Sequence, residues 1–145
     1  MKKFLLSLVF LAAFWNTASA DDLVTRDVAQ LPAMARTLLQ KHFKEHKVSY
    51  IKIDKEFFDT EYKAVLTNGY EVEFDEEGNW TEIDCKKGVV PPVLIPTAVK
   101  EYLLKNFPGD TVEKIKRTKR RVEVELNAGF ELEFDKNGKL VDFDD

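Results

Sequence analysis

The chain has 145 residues, 44% of them hydrophobic, and a formal net charge of −4 at pH 7. This excess of acidic residues argues against nucleic acid as a partner. Cys85 is the only cysteine, which excludes an internal disulfide, so the hydrophobic core must hold the fold alone.

The first twenty residues are predicted to be a secretory signal peptide. Lys2 and Lys3 form a positive n-region, residues 4–15 form an apolar segment too short to span a bilayer, and Ala18-Ser19-Ala20 is a small-residue cleavage site. Cleavage after Ala20 would remove both lysines, change the formal charge from −4 to −6, and leave a length suited to one compact domain or two small, closely packed halves. The sequence therefore predicts a periplasmic or secreted protein, and no later stretch is apolar enough to predict a membrane span.

Two helices are predicted, each from apolar residues that recur with a period of 3.6. The first stripe contains Leu31, Met34, Ala35, Leu38, Leu39, His42 and Phe43, and the second contains Ile95, Ala98, Val99, Tyr102, Leu103, Asn106 and Phe107. Pro32 and Pro96 occupy equivalent places in the first turns, where the missing N–H of proline costs nothing. Pro108-Gly109 predicts the end of the second helix.

After each helix the hydrophobic period changes to two, which is typical of strands buried on one face. Residues 68–78 return as residues 128–138, with 60 positions between the two copies. A three-residue loop that ends at Gly69, in the left-handed conformation, would pair Leu66 with Tyr70 and keep the apolar residues on one face. The next hairpins are predicted to pair Phe74 with Trp80 and Phe134 with Leu140.

These patterns predict an α+β fold built as a tandem repeat of two units, each a helix followed by about four antiparallel strands. The units are residues 21–85 and 93–145, and residues 86–92 form the linker. Each helix would cover one face of its sheet and leave the other face open to solvent. Function is expected on that open face.

The order of the motifs resembles that of a known family. They are Leu31-Pro32, Lys41-His42-Phe43, residues 68–75, Gly78-Asn79-Trp80, and Asp84-Cys85-Lys86-Lys87-Gly88. Over essentially the whole mature chain they resemble the PepSY-like, beta-lactamase-inhibitor-like proteins exported by Bacteroidetes-type bacteria. The resemblance implies a fold like the beta-lactamase inhibitory protein, with tandem α+β units and a concave sheet. No inhibitor contact motif matches residue by residue, so inhibition of a beta-lactamase is not inferred.

The predicted register places like charges opposite each other in the second half. Glu125 faces Glu131 and Glu123 faces Glu133, and opposed like charges destabilise a sheet. Either lysines and arginines between positions 114 and 121 neutralise this cluster, or it is a docking patch for a cationic protein surface or a Ca²⁺ ion. The candidate partner-binding residues on the open face are Glu71, Glu73, Glu123, Glu125, Glu131 and Glu133.

A further candidate contact is the first hairpin tip, residues 54–60, which contains Phe57 and Phe58. Two adjacent residues of an extended segment point to opposite sides, so one phenylalanine is expected to be exposed as an anchor for a partner. The alternative is that both rings fold back on the sheet edge.

No catalytic, cofactor or metal site is predicted. His42 and His46 are spaced i, i+4 on the first helix but have no third ligand, Cys85 has no imidazole near it in sequence to act as a base, and Asp135 begins a hairpin turn rather than a complete EF-hand loop. We therefore expect a non-enzymatic binding protein that contacts a protein or peptide of the cell envelope, such as an inhibitor or modulator of an envelope protein or peptidase. A small-ligand or metal-ion sensing protein is the alternative.

Overall fold

The computed structural model describes residues 22–145, so the predicted signal peptide and its cleavage site lie outside the described residues. Within that range two helices, α1 (Ala33–His42) and α2 (Thr97–Asn106), accompany nine strands. The strands are β1 (Asp22–Thr25), β2 (Val48–Glu56), β3 (Asp59–Leu66), β4 (Glu71–Phe74), β5 (Trp80–Asp84), β6 (Val112–Arg117), β7 (Arg121–Leu126), β8 (Glu131–Asp135) and β9 (Leu140–Asp144).

The nine strands form one antiparallel sheet in which the spatial order is the chain order, β1 to β9. The pairing of β5 with β6 continues the sheet between the two helix-plus-strand segments, and Ile83 lies opposite Ile115 at this junction. The fold is therefore α+β with an open antiparallel sheet. That the two segments are a tandem repeat, with the domain limits given above, stays a prediction.

The core lies between the helices and one face of the sheet. Leu31, Ala35, Leu39 and Phe43 are buried at a spacing of four, which brings them to one side of α1. The corresponding residues around α2 are Ile95, Val99, Leu103 and the half-buried Phe107. Met34, predicted to be on the buried stripe, is 56% exposed, because it lies beside the line of residues that faces the sheet.

The predicted hairpin register is confirmed. Ala64 lies opposite Val72, the Leu66 N–H donates to the Tyr70 carbonyl at 2.8 Å, and Gly69 has a φ of 91°. The pairs Phe74 with Trp80 and Phe134 with Leu140 are also present. Each of these two hairpins contains an unpredicted bulge immediately after the pair, so one residue of β5 and one of β9 have no opposite partner.

The first hairpin differs from the prediction at its tip. The pair Glu56 and Asp59 closes it, which leaves Phe57 and Phe58 as a two-residue turn. Both rings are exposed, at 101% and 98%, whereas one exposed ring was expected. Both residues lie past the last strand pair, so neither has a neighbouring strand against which to pack.

Candidate functional site on the open sheet face

The open face carries two rows of side chains that run across the strands, because residues opposite each other in a sheet share a face. From β2 to β9, the first row contains Lys52, Lys63, Glu73, Glu82, Lys116, Glu123, Glu133 and Asp142. The second row contains Tyr50, Val65, Glu71, Asp84, Lys114, Glu125, Glu131 and Asp144. Both rows end, on β7 to β9, in three consecutive carboxylates.

We call these last six side chains the acidic patch: Glu123, Glu125, Glu131, Glu133, Asp142 and Asp144. They line a shallow depression of about 260 Å³ whose basic residues are Lys114 and Lys116. The predicted oppositions of Glu125 with Glu131 and of Glu123 with Glu133 are confirmed. The two aspartates on β9 extend the patch beyond the residues that the sequence predicted.

The acidic patch is only partly neutralised by its neighbours. Arg121 Nε lies 3.3 Å from a carboxylate oxygen of Glu133. Lys114 stands opposite Glu125 but forms its ion pair with Glu82, at 3.0 Å. In residues 22–145 no other patch carboxylate has a lysine or arginine within ion-pair distance. The predicted neutralisation by the neighbouring strand is therefore incomplete.

The carboxylates on β4, by contrast, all have basic partners. Lys63 Nζ lies 3.8 Å from Glu71 and 3.9 Å from Glu73. Lys86 bonds to Glu71 and, at 3.2 Å, to Asp84. Glu71 and Glu73 thus belong to a cluster of mixed charge that β5 and β6 separate from the acidic patch.

The predicted partner-binding residues therefore fall into three separate groups. Phe57 and Phe58 lie at the tip of the β2–β3 hairpin, the β4 glutamates lie in the first half of the sheet, and the acidic patch lies on β7 to β9. The structure does not bring the aromatic tip next to the acidic patch.

Two carboxyl groups meet in the middle of the open face, where Glu73 lies opposite Glu82. A hydrogen bond to Glu82, together with burial, raises the pKa of Glu73 to about 7. Burial opposes the shift in Glu82, but hydrogen bonds from Glu73 and Lys114 lower the pKa of that carboxyl. Below the pKa of Glu73, the protonated Glu73 carboxyl is the donor of the pair and the Glu82 carboxylate is the acceptor.

Glu73→Gln should stabilise the protein above pH 7. A carboxyl whose folded pKa lies above its unfolded value loses stability as the pH rises from about 4.5 to about 7, and glutamine removes that loss. The gain should be on the order of 1 kcal/mol or less, since 30% of the Glu73 side chain is accessible to solvent. Urea unfolding at pH 5 and pH 8 measures it.

Glu71→Gln is the matched control, because Glu71 lies on the same strand and face but bonds to Lys63 and Lys86. It should give no gain at pH 8. An equal gain from both substitutions would show that the effect is general charge removal and not the raised pKa of Glu73.

The other titratable candidates are the two histidines and Cys85. Helix α1 ends at His42, so His46 lies beyond it, with its ring 5.9 Å from that of Tyr70; the predicted placement of both histidines on one helix is wrong. Burial, with the charge of Asp84, raises the pKa of the Cys85 thiol to about 12, which leaves almost no thiolate at neutral pH.

The Asp135 loop is a hairpin turn. The Asp135 carboxylate accepts hydrogen bonds from the N–H groups of Asn137 and Lys139 at 2.9 and 3.0 Å. These bonds hold the pKa of Asp135 below its usual value, and the bond from Lys139 has the larger effect. In the described part of the chain no three acidic, histidine or cysteine side chains are grouped so as to hold a metal ion.

One further contact was not predicted by the sequence. The Arg117 guanidinium lies 3.7 Å from the centre of the Trp80 ring, and its Nε donates to the Trp80 carbonyl at 2.7 Å. The two residues line a groove of about 820 Å³. The contact joins β5 to β6, and nothing in the alternating pattern of either strand indicates it.

Comparisons with known proteins agree with the described fold. Three solved structures match this chain over nearly all of their own length. Two are from Bacteroides vulgatus. One is described as a "putative periplasmic protein of unknown function" (43% identity, TM-score 0.82, 86% of this chain and 99% of that chain), and the other as a "putative periplasmic protein" (38%, 0.84, 88% and 100%). The third, from Bacteroides thetaiotaomicron, is described as a "putative calcium-regulated periplasmic protein" (40%, 0.81, 86% and 97%).

Further comparisons concern the family to which the chain belongs. None of the curated proteins searched matches the chain, and none of the matches indicates an enzyme family. Among residues 22–145 no helix has both the length and the apolar character needed to cross a membrane. Residues 60–142 match a family model described as "Putative beta-lactamase-inhibitor-like, PepSY-like". With the three structures above, this match shows that the chain belongs to the PepSY-like family.

Proposed function

We propose that this chain is an exported, non-enzymatic binding protein of the periplasm that contacts a cationic protein or peptide with the open face of its sheet. The observation that carries the proposal is the acidic patch. Six carboxylates share one exposed face, and one of them has an ion-pair partner in the described residues. A cationic surface would supply the missing counter-charges and would be steered toward the patch at long range.

The relatives support the periplasmic location, because all three structures are described as putative periplasmic proteins. Export through the predicted signal peptide belongs to the same proposal. A tandem duplication would explain why both halves carry the same hairpins.

Phe57 and Phe58 would provide a second contact for a large partner. Both rings are fully exposed at a hairpin tip, and desolvated aromatic side chains are frequent anchors in interfaces. They lie at the far half of the sheet from the acidic patch, so a partner that uses both must extend across the open face.

Changing Glu125 and Glu131 together to glutamine should weaken capture of a cationic partner without loss of stability. The two side chains oppose each other on β7 and β8, so their repulsion disappears, and the free energy of unfolding should stay the same or rise by some tenths of a kcal/mol. The association rate constant of a lysine-rich peptide should fall several-fold, and the decrease should be larger at low salt. One urea titration and one kinetic binding titration measure both quantities.

The matched control changes Glu45 and Glu101, which are exposed and lie outside both rows, to glutamine. It removes the same net charge from a different surface and should leave the association rate nearly unchanged. If the patch acids instead serve to balance Lys114 and Lys116, the Glu125 and Glu131 substitutions will lower stability and leave capture unaffected. The two explanations move stability in opposite directions.

Calcium binding is the second candidate function. One relative, 40% identical, is described as calcium-regulated, and carboxylate oxygens are the ligands that Ca²⁺ prefers. In the described residues the acidic side chains are not yet arranged around one point, so the patch would have to rearrange. A calcium-specific rise in thermal stability that Asp142→Asn abolishes would support this candidate, and an equal rise with magnesium or potassium would not.

A further inference from the structure

The outer edge of β9 is unpaired in the described chain, because β9 is the last strand of the sheet and has only β8 as a neighbour. Asp142 and Asp144 lie opposite residues of β8, and Phe143 alternates with them. The Phe143 N–H donates to the Asp142 carboxylate at 2.9 Å. A side-chain oxygen thus satisfies a backbone group that a further strand would otherwise bind.

The two faces of this edge differ in chemistry. On the open face both rows of side chains end at Asp142 and Asp144, and neither has an ion-pair partner in residues 22–145. On the helix side Phe143 stacks on Phe107 and Phe130, with ring centres 6.0 and 5.5 Å away, and stays 45% exposed. An added strand would have to present cations on one face and apolar groups on the other.

We propose that the edge of β9 accepts an extended segment of the partner, in which basic and apolar residues alternate, as a tenth antiparallel strand. This mode of binding is β-strand addition, in which main-chain hydrogen bonds give affinity and alternate side chains give specificity. The basic residues continue the rows beyond Asp142 and Asp144, and the apolar residues cover the exposed side of Phe143. The inference rests on the proposed function, since it uses the same acidic patch to select a cationic partner.

Charge also decides against a second copy of this chain as the occupant. Two β9 strands side by side would bring together four aspartates that have no counter-charges. Strand β1, the other outer strand in residues 22–145, offers Asp22, which already pairs with Lys52 at 3.3 Å. Neither edge supplies the cations that the β9 edge lacks.

The test uses a short peptide in which lysine and valine alternate, and two N-methylated forms of it. In an antiparallel strand, the residue opposite Phe143 shares its face and exchanges both backbone hydrogen bonds with it, and here that residue is a valine. Methylation of the valine nitrogens should weaken binding by about tenfold or more, while methylation of the lysine nitrogens, which point away from β9, should leave affinity nearly unchanged. All three peptides have the same side chains and charge.

Hydrogen exchange on the whole processed protein provides the second readout, and the Phe143 amide should become protected when the unmethylated peptide binds. Equal affinity of the two methylated peptides would overturn the edge proposal. The proposed function would still stand if Glu125→Gln with Glu131→Gln weakens binding of the unmethylated peptide. Lack of binding by the unmethylated peptide would also overturn the edge proposal. A concentration-dependent dimer with a protected Phe143 amide before any peptide is added would assign the edge to a second copy instead.

Discussion

Replacing Gly138 with alanine should lower the free energy of unfolding by about 3 kcal/mol, because the new methyl group meets two obstacles at once. Gly138 has a φ of 82°, a left-handed conformation that costs an L-residue about 1 kcal/mol or more. A Cβ there would also lie 2.3 Å from the Cβ of Ala98 on α2. Both atoms are fixed to backbone, so the helix must move away from the turn.

Gly129→Ala is the matched control for this substitution. Gly129 has a φ of 96°, but a Cβ there would meet no atom within 4 Å, so the loss should be about 1 kcal/mol from backbone strain alone. Adding Ala98→Gly to Gly138→Ala should recover part of the larger loss. Urea unfolding of the variants measures these differences, and equal losses at the two glycines would show that α2 does not press on the turn.

The sequence predicted the register of the β3–β4 hairpin well because glycine constrains it. Gly69 can adopt a left-handed conformation that other residues adopt rarely, and one register alone keeps Leu66, Ala64 and their partners on the buried face. Both conditions act locally, within a few residues of the turn. They therefore appear in the sequence without knowledge of the tertiary structure.

The bulges explain why part of the site was missed. Without a bulge, Val141 would lie opposite Glu133, whereas the bulge places Asp142 there and Asp144 opposite Glu131. The same shift in β5 brings Glu82, not Thr81, opposite Glu73. A signal was present: Trp80 and Ile83 are both buried at a spacing of three, which regular alternation does not allow.

Strand β1 was missed, and the number of exposed rings at the aromatic tip was wrong, for other reasons. Leu23 and Val24 are adjacent and both exposed, so β1 carries no alternating pattern, and its pairing with β2 depends on backbone groups. The exposure of both Phe57 and Phe58 follows from a two-residue turn, whose length depends on how far β2 and β3 stay paired. Neither feature is encoded by side-chain periodicity.

Truncating Phe134 to alanine should lower the stability of the whole sheet, including the half of the chain that does not contain Phe134. Phe134 is fully buried and packs edge-on against Tyr102, with ring centres 5.3 Å apart, so its loss should cost about 3–5 kcal/mol. The β5–β6 junction should transmit that loss, because Ile83 and Ile115 are fully buried there and Arg117 binds the Trp80 carbonyl. We expect one cooperative transition.

Trp80 gives a direct measurement of this coupling. It lies on β5, and the other tryptophan, Trp15, belongs to the predicted signal peptide, so the fluorescence of the processed chain reports on β5 and on its contact with Arg117 of β6. In Phe134→Ala the urea midpoint from Trp80 fluorescence should fall together with the midpoint from circular dichroism. Phe74→Ala, at the corresponding fully buried position of the first half, is the control and should lower both midpoints by a similar amount. If Phe134→Ala leaves the Trp80 midpoint unchanged while circular dichroism shows an earlier step, residues 21–85 and 93–145 unfold independently, and the continuous sheet does not make them one cooperative unit.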